Sequence, residues 1–150
     1  MANTYTSLLY HLVFSTKRRE PWIGRQAEPR LWSYLGGIAR ENKIKPILVG
    51  GRPDHVHMAV SIPAALPVSK AVQFIKGGSS AWIKDALPGM KGFAWQDGYG
   101  AFTVSRSNLD EVVKYIGNQK EHHRQKSFQE EFLTFLKRHD VDYDERYLWD

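Results

Sequence analysis

His55-Val56-His57-Met58-Ala59-Val60-Ser61-Ile62 alternates with the two-residue period of a β-strand. Val56, Met58, Val60 and Ile62 share one face, and His55, His57, Ala59 and Ser61 share the other. The first face is apolar enough to lie on a core, so the strand is expected to be central and rigid, a good mount for a site. Two histidines at i and i+2 point the same way, with roots ~6–7 Å apart. From there two imidazoles either converge on one metal or pair by hydrogen bonds on a sheet surface. The strand alone leaves both readings open.

Upstream, Gly50-Gly51-Arg52-Pro53-Asp54 is dense in turn formers and predicts a hairpin connection to a preceding strand, Lys45 to Gly50. Leu31, Trp32, Leu35, Ile38 and Ala39 recur at helical spacing and predict a helix from Pro29 to Lys43. Gly36 and Gly37 weaken it, each by about 1 kcal/mol relative to Ala. Leu8 to Ser15 reads as a buried strand, followed at once by the basic cluster Lys17, Arg18, Arg19.

Downstream, Val68, Val72, Ile75, Ser79 and Trp82 predict a helix over Val68 to Asp85. Ala101 to Val104 reads as a last strand. Asn108 with Glu111 has the spacing of a capping box, predicting a helix that runs to about Lys126. Phe128 to Arg138 forms a final helix with an apolar stripe of Phe128, Phe132, Phe135 and Leu136, and the tail from Val141 to Asp150 is acidic and aromatic. The order β-α-β-β-α-β-α-α begins with the split βαβ, ferredoxin-like plan. The predicted fold class is α+β, an antiparallel sheet with helices on one face and extra C-terminal helices. The other face of such a sheet is expected to be open, with the two histidines on it.

The chain has 150 residues, no internal repeat and no long linker, so residues 1–150 are expected to form a single domain. No cysteine is present, which excludes disulfide frameworks, thiolate metal sites and cysteine nucleophiles. Lys plus Arg is 21 against 16 for Asp plus Glu, a net charge of +5, and 13% of the residues are aromatic. That balance favours a polyanion partner, with nucleic acid first. No run reaches the ~18 apolar residues of a membrane span, and the N-terminus lacks a basic signal start, so a cytoplasmic location without a membrane partner is expected. No G-x-x-x-x-G-K-[ST] loop occurs, so no nucleotide cofactor is expected. Asp54, Asp85 and Asp97 are not grouped by their spacing into a carboxylate site.

On the helix after Asn108, Leu109, Val112, Val113 and Ile116 make the buried stripe. Tyr115, Gln119 and His122 lie at i, i+4 and i+7 on a separate stripe. A tyrosine beside the apolar face either presents its hydroxyl to a cleft or packs at the core edge. Two imidazoles with the Gln119 oxygen would make three metal ligands and leave positions open for phosphate oxygens. A phenol, with pKa ~10, is a poor nucleophile at neutral pH unless its electrophile is polarised.

Asp54-His55-Val56-His57 and its hydrophobic strand resemble the His-hydrophobic-His motif of the HUH nucleases. Tyr115-x-x-x-Gln119 resembles their single-tyrosine branch, which contains the small transposases of the shortest bacterial insertion sequences (the insertion-sequence 200-like family). Tyr10-His11-Leu12-Val13-Phe14-Ser15-Thr16-Lys17, Ser69 to Ser80 with Lys76-Gly77, Trp95-Gln96-Asp97-Gly98-Tyr99, and the ending from Tyr143 to Trp149 match in the same order. The resemblance implies an RRM-like domain that cuts and rejoins single-stranded DNA. Tyr115 would attack phosphorus to form a 5′-phosphotyrosine, and His55, His57 and Gln119 would hold one Mg²⁺ or Mn²⁺. It also implies a homodimer and recognition of hairpin DNA ends; the Phe128 to Leu136 stripe either offers a contact surface for the dimer or packs back on its own subunit. Lys17, Arg18, Arg19, Arg52, Lys70, Lys76 and Arg106 are the candidate phosphate contacts, and Trp95 and Tyr99 are candidates either for base stacking or for core packing. His122 and His123 receive no role. The competing readings are a domesticated, repeat-associated nuclease with the same catalytic residues, and a non-catalytic RRM-like module that binds single strands by stacking.

Overall fold

The structure is a computed structural model in which residues 3–119 and 126–149 are described. His122 and His123 lie outside the described residues. Four strands, β1 (Leu9–Ser15), β2 (Lys45–Arg52), β3 (His55–Ser61) and β4 (Gly100–Val104), form one antiparallel sheet in the order β2-β3-β1-β4. Helices α1 (Ala27–Glu41) and α2 (Val68–Ala86) are the two crossovers of the split βαβ plan, as the sequence order predicts. Helices α3 (Leu109–Gly117) and α4 (Phe128–Arg138) follow the sheet.

The alternation in the strands sorts the two faces. Leu12 and Phe14 of β1 and Val56, Met58 and Val60 of β3 pack against Leu31, Leu35 and Ile38 of α1 and Ala71, Val72 and Ile75 of α2. Val13 of β1 and Phe102 of β4 point the other way, into a second cluster with Phe128, Phe132, Phe135 and Leu136 of α4. This face is therefore covered. Of the two readings of this stripe, contact between copies or packing on its own subunit, the second holds: it is buried in its own chain, where each such side chain is worth about 1.5–3 kcal/mol on leaving water. Leu148 and Trp149 of the tail return to the same cluster.

One helix cap differs from expectation, and one was not foreseen. Asn108 accepts no capping hydrogen bond, because Arg106–Asn108 forms a 3₁₀ turn and leaves Asn108 already helical in backbone (φ −100°, ψ −1°). A cap reaches the N2 or N3 amide from an extended backbone. Ser127 has that backbone (φ −73°, ψ 166°), and its side chain with Glu130 makes the capping box of α4. In β2 the ladder runs on through Gly50 and Gly51 to Arg52, leaving only Pro53 and Asp54 as the turn.

Gly50 lets α3 approach the sheet. A Cβ there would lie 3.0 Å from both Cγ2 and the carbonyl oxygen of Ile116, the residue after Tyr115. Gly37, in the middle of α1, has nothing within 4 Å of its would-be Cβ. Gly50→Val is expected to cost about 1–3 kcal/mol by displacing α3, and Gly37→Ala to stabilise by about 0.5–1 kcal/mol through helix propensity. Urea unfolding of the two variants beside the parent checks both signs.

Candidate active site

The alternation of β3 puts His55 and His57 on the α4 side of the sheet, and both are fully buried (0% exposed). Each ring is held at Nδ1. His55 Nδ1 is 2.7 Å from Asp54 Oδ1, and His57 Nδ1 is 2.8 Å from Nε2 of His11. The Nε2 atoms converge on the Glu131 carboxylate of α4, with His57 Nε2 2.9 Å and His55 Nε2 3.4 Å from Oε1. Gln119 adds its Oε1 at 3.2 Å from His55 Nε2. The Tyr115 hydroxyl donates to the other carboxylate oxygen, Oε2 of Glu131. Five buried or half-buried groups from β3, α3, α4 and the segment just after α3 thus meet at one point.

The protonation states follow from the partners. His55 lies between oxygens that only accept, so both of its nitrogens donate. Burial lowers its pKa, but the hydrogen bonds and charges of Asp54 and Glu131 outweigh burial and raise it above the ordinary value near 6.5. In the metal-free protein this stabilisation is full below the unfolded value and is lost as pH rises through the raised folded one. Burial, reinforced by the adjacent Glu131, pushes the Tyr115 phenol well above its usual range, against weaker opposing effects of Gln119 and Arg138. In this arrangement Tyr115 is a neutral phenol that keeps its proton and donates it in a hydrogen bond to the Glu131 carboxylate.

His55, His57 and Glu131 bring three ligand atoms within 4.8 Å of one another. Two imidazole nitrogens, a carboxylate oxygen and a nearby amide oxygen suit a borderline or hard divalent ion. Rings anchored at Nδ1 with Nε2 facing inward are the usual outer support of metal-binding histidines. The donor set fits a divalent cation. Beside it a cleft of about 410 Å³ opens along Tyr115, lined by His11, Asn108, Lys114, Asn118 and Arg138.

The four residues expected from sequence, His55, His57, Tyr115 and Gln119, are brought together. Glu131, His11 and Asp54 were not expected there. Glu131 carries a readable signal, an acidic residue inside the apolar stripe between Phe128 and Phe132, because a buried carboxylate is rare unless paired. His11 carries only strand parity, which becomes informative once β1 is known to lie beside β3.

The basic residues divide. Lys17, Arg18, Lys70 and Arg106 are exposed, and Arg52 is half-buried. Arg19 instead donates to the Trp149 carbonyl at 3.3 Å and lies over the Trp149 ring. Lys76 donates to the carbonyls of Gln96 at 2.6 Å and Gly98 at 2.8 Å, and burial lowers its pKa to about 8. It clamps the 96–98 backbone onto α2. Trp95 is buried against Phe14 and Phe93 with its indole N–H on Ser79 Oγ, so core packing rather than base stacking describes it. Tyr99 is exposed.

A split βαβ sheet with a histidine pair on a central strand and a tyrosine on the helix after the last strand is the arrangement of the single-tyrosine HUH class of transposases. The comparisons agree. The family profile described as "Transposase IS200 like" matches residues 4–119, and the chain belongs to that family. It is 30% identical over 117 residues to the ISDra2 transposase TnpA of Deinococcus radiodurans, covering 75% of this chain and 84% of that one. It is 28% identical over 128 residues to the IS200 transposase of Salmonella typhimurium, covering 81% and 82%. A crystal structure of a Deinococcus radiodurans transposase superposes with a TM-score of 0.67 at 27% identity, over 79% of this chain and 95% of that one. A REP-associated tyrosine transposase bound to a REP hairpin shares the fold, with a TM-score of 0.60 at 16% identity over 82% and 73%.

Asp54→Asn is expected to bring the His55 pKa down in metal-free protein, as read by an NMR titration of the ring protons. Lys76→Met leaves the Gln96 and Gly98 carbonyls without their donor, and an unfolding titration is expected to show a loss of about 1–3 kcal/mol.

Proposed function

We propose that this protein cleaves and rejoins single-stranded DNA at the hairpin-bearing ends of an insertion sequence, with Tyr115 as nucleophile and one divalent cation, Mg²⁺ or Mn²⁺. The observation that carries the reading is the convergence of both histidine Nε2 atoms and the Tyr115 hydroxyl on a single buried carboxylate. His55, His57 and Glu131 would hold the cation, with Gln119 Oε1 as a further oxygen donor. When bound, the cation supplies Lewis-acid polarisation of the scissile phosphate.

The chain's own residues account for the rest. Tyr115 Oη bonds to phosphorus while its proton passes to Glu131 Oε2, to which it is already hydrogen-bonded. The bond from phosphorus to the 3′-oxygen breaks, and that oxygen takes up a proton to leave as a 3′-hydroxyl. Rejoining is the reverse, with a 3′-hydroxyl attacking the 5′-phosphotyrosine and the phenol regaining its proton. The phosphodiester energy is kept in the phosphotyrosine, which is consistent with a chain lacking a phosphate-binding nucleotide loop. The high pKa of Tyr115 gives Glu131 its purpose, because a neutral buried phenol needs a proton acceptor at the moment of attack.

Lys17, Arg18, Arg52, Lys70 and Arg106 are the proposed phosphate contacts. Arg19 and Lys76, whose charged ends are committed to Trp149 and to the 96–98 backbone, act structurally. The fold shared with a protein bound to a REP hairpin supports hairpin DNA as the partner class. No helix among the described residues is long and apolar enough to cross a membrane, and the proposed place of action is the cytoplasm. Residues 1–150 act as a single domain in this reading. Tyr115 and the histidine pair meet within one chain, which supports cleavage in cis. Association into a homodimer rests on the family resemblance and not on α4, and sedimentation velocity at twice the chain mass checks it.

The test is a labelled single-stranded oligonucleotide carrying a terminal hairpin. With Mg²⁺ or Mn²⁺ the parent is expected to form a covalent protein–DNA adduct, and neither Tyr115→Phe nor EDTA-treated protein forms one. An adduct with Tyr115→Phe would overturn the nucleophile. Binding indifferent to EDTA, with no adduct, would make the chain a non-catalytic single-strand module.

A further inference from the structure

His11 lies on β1, 3% exposed, diagonal to His57 across the β1–β3 ladder, in which Val13 faces His57 and His11 faces Ala59. Its Nε2 is 2.8 Å from His57 Nδ1. Its ring is packed against His57, with centroids 5.0 Å apart, and edge-on to Phe135 at 5.0 Å and Tyr115 at 6.2 Å. The ring is therefore locked where it stands.

A hydrogen bond between two ring nitrogens needs one of them protonated and the other bare. In the metal-free arrangement His57 Nε2 donates to Glu131. A neutral His57 then has a bare Nδ1, and His11 Nε2–H donates to it. A nitrogen that ligates a cation must be bare. With Nε2 bare, the one proton of neutral His57 sits on Nδ1 and donates to a bare His11 Nε2. A neutral imidazole at position 11 serves both states, since it accepts or donates at the same atom. Asp54, which holds His55, only accepts and is partly exposed. A carboxylate at the far more buried position of His11 would have to leave water entirely.

We propose that His11 is a positioning residue, the partner that sets the tautomer and ring orientation of His57 so that Nε2 presents its lone pair to a divalent cation. It makes no contact with the reacting atoms in this role. The inference rests on the metal-dependent reading above and goes beyond it by assigning a residue of β1 to the site's support.

The experiment compares parent, His11→Phe and His11→Gln for Mn²⁺ affinity, read by the electron paramagnetic resonance of free Mn²⁺. His11→Phe fills the space without a polar atom and is expected to weaken Mn²⁺ binding by about 10–100-fold, with most of the loss recovered in His11→Gln, which still accepts from Nδ1. A folded His11→Phe that binds Mn²⁺ within about threefold of the parent overturns the role. A second measurement needs no variant. In parent protein saturated with Mg²⁺, nitrogen-15 NMR is expected to find His57 protonated at Nδ1 and His11 bare at Nε2. A bare His57 Nδ1 in that state overturns the proposal even where His11→Phe does not fold. A parent that takes up no Mn²⁺ overturns the metal-dependent reading itself, which separates that failure from a failure confined to His11.

Discussion

A carboxylate out of water is stable only when its oxygens are paired, and Glu131 is paired on both. One oxygen faces His55 and His57, and the other accepts from Tyr115. Glu131 is carried by α4, the histidines by β3 and the tyrosine by α3, so this single group ties three elements over one face of the sheet. The aromatic stripe of α4 supplies the apolar drive to cover that face. Glu131 makes the covering specific, because any register of α4 that left the carboxylate unpaired would bear its full desolvation penalty.

The same covering sets the electrostatics. Removed from bulk water, the partners act on one another strongly. His55 is driven toward the imidazolium by acceptors on both sides, while His11, whose ring partner is another imidazole, stays neutral. Tyr115 keeps its proton. In the proposed reaction Tyr115 would wait as a neutral phenol, and the histidine nitrogens, held by outer partners, would be ready for a cation. The cleft along Tyr115, with Lys114 and Arg138 in its walls, would be the way in for a substrate phosphate in that reaction.

Most of the scaffold was legible from period and punctuation. The alternation of β3, the helical spacing in α1 and α2 and the apolar stripe of α4 gave the strand faces and the split βαβ order, since these depend on neighbours within a few residues. The cap at Asn108 misled because its signal is the side chain, whereas capping also requires an extended backbone that the 3₁₀ turn removes. Lys76 misled in another way, and for Trp95 the structure decides between two readings that the sequence left open. Each has a residue type suited to DNA, but the 93–98 segment folds against α2 and occupies both. Charge and aromaticity report what a side chain is capable of binding, not what has already bound it.

Of the site, the amino-acid order alone determined the histidine pair with a common direction and the tyrosine and glutamine one helical turn apart, because strand and helix periods place them. Tertiary structure alone decided that α4 closes over its own sheet, that Glu131 meets His57 from 74 residues away and that His11 meets His57 across 46. Those contacts are set by sheet register and by which face a helix covers. Both are long-range choices, made by summed burial and by the need of every buried polar atom for a partner, and no local pattern encodes them.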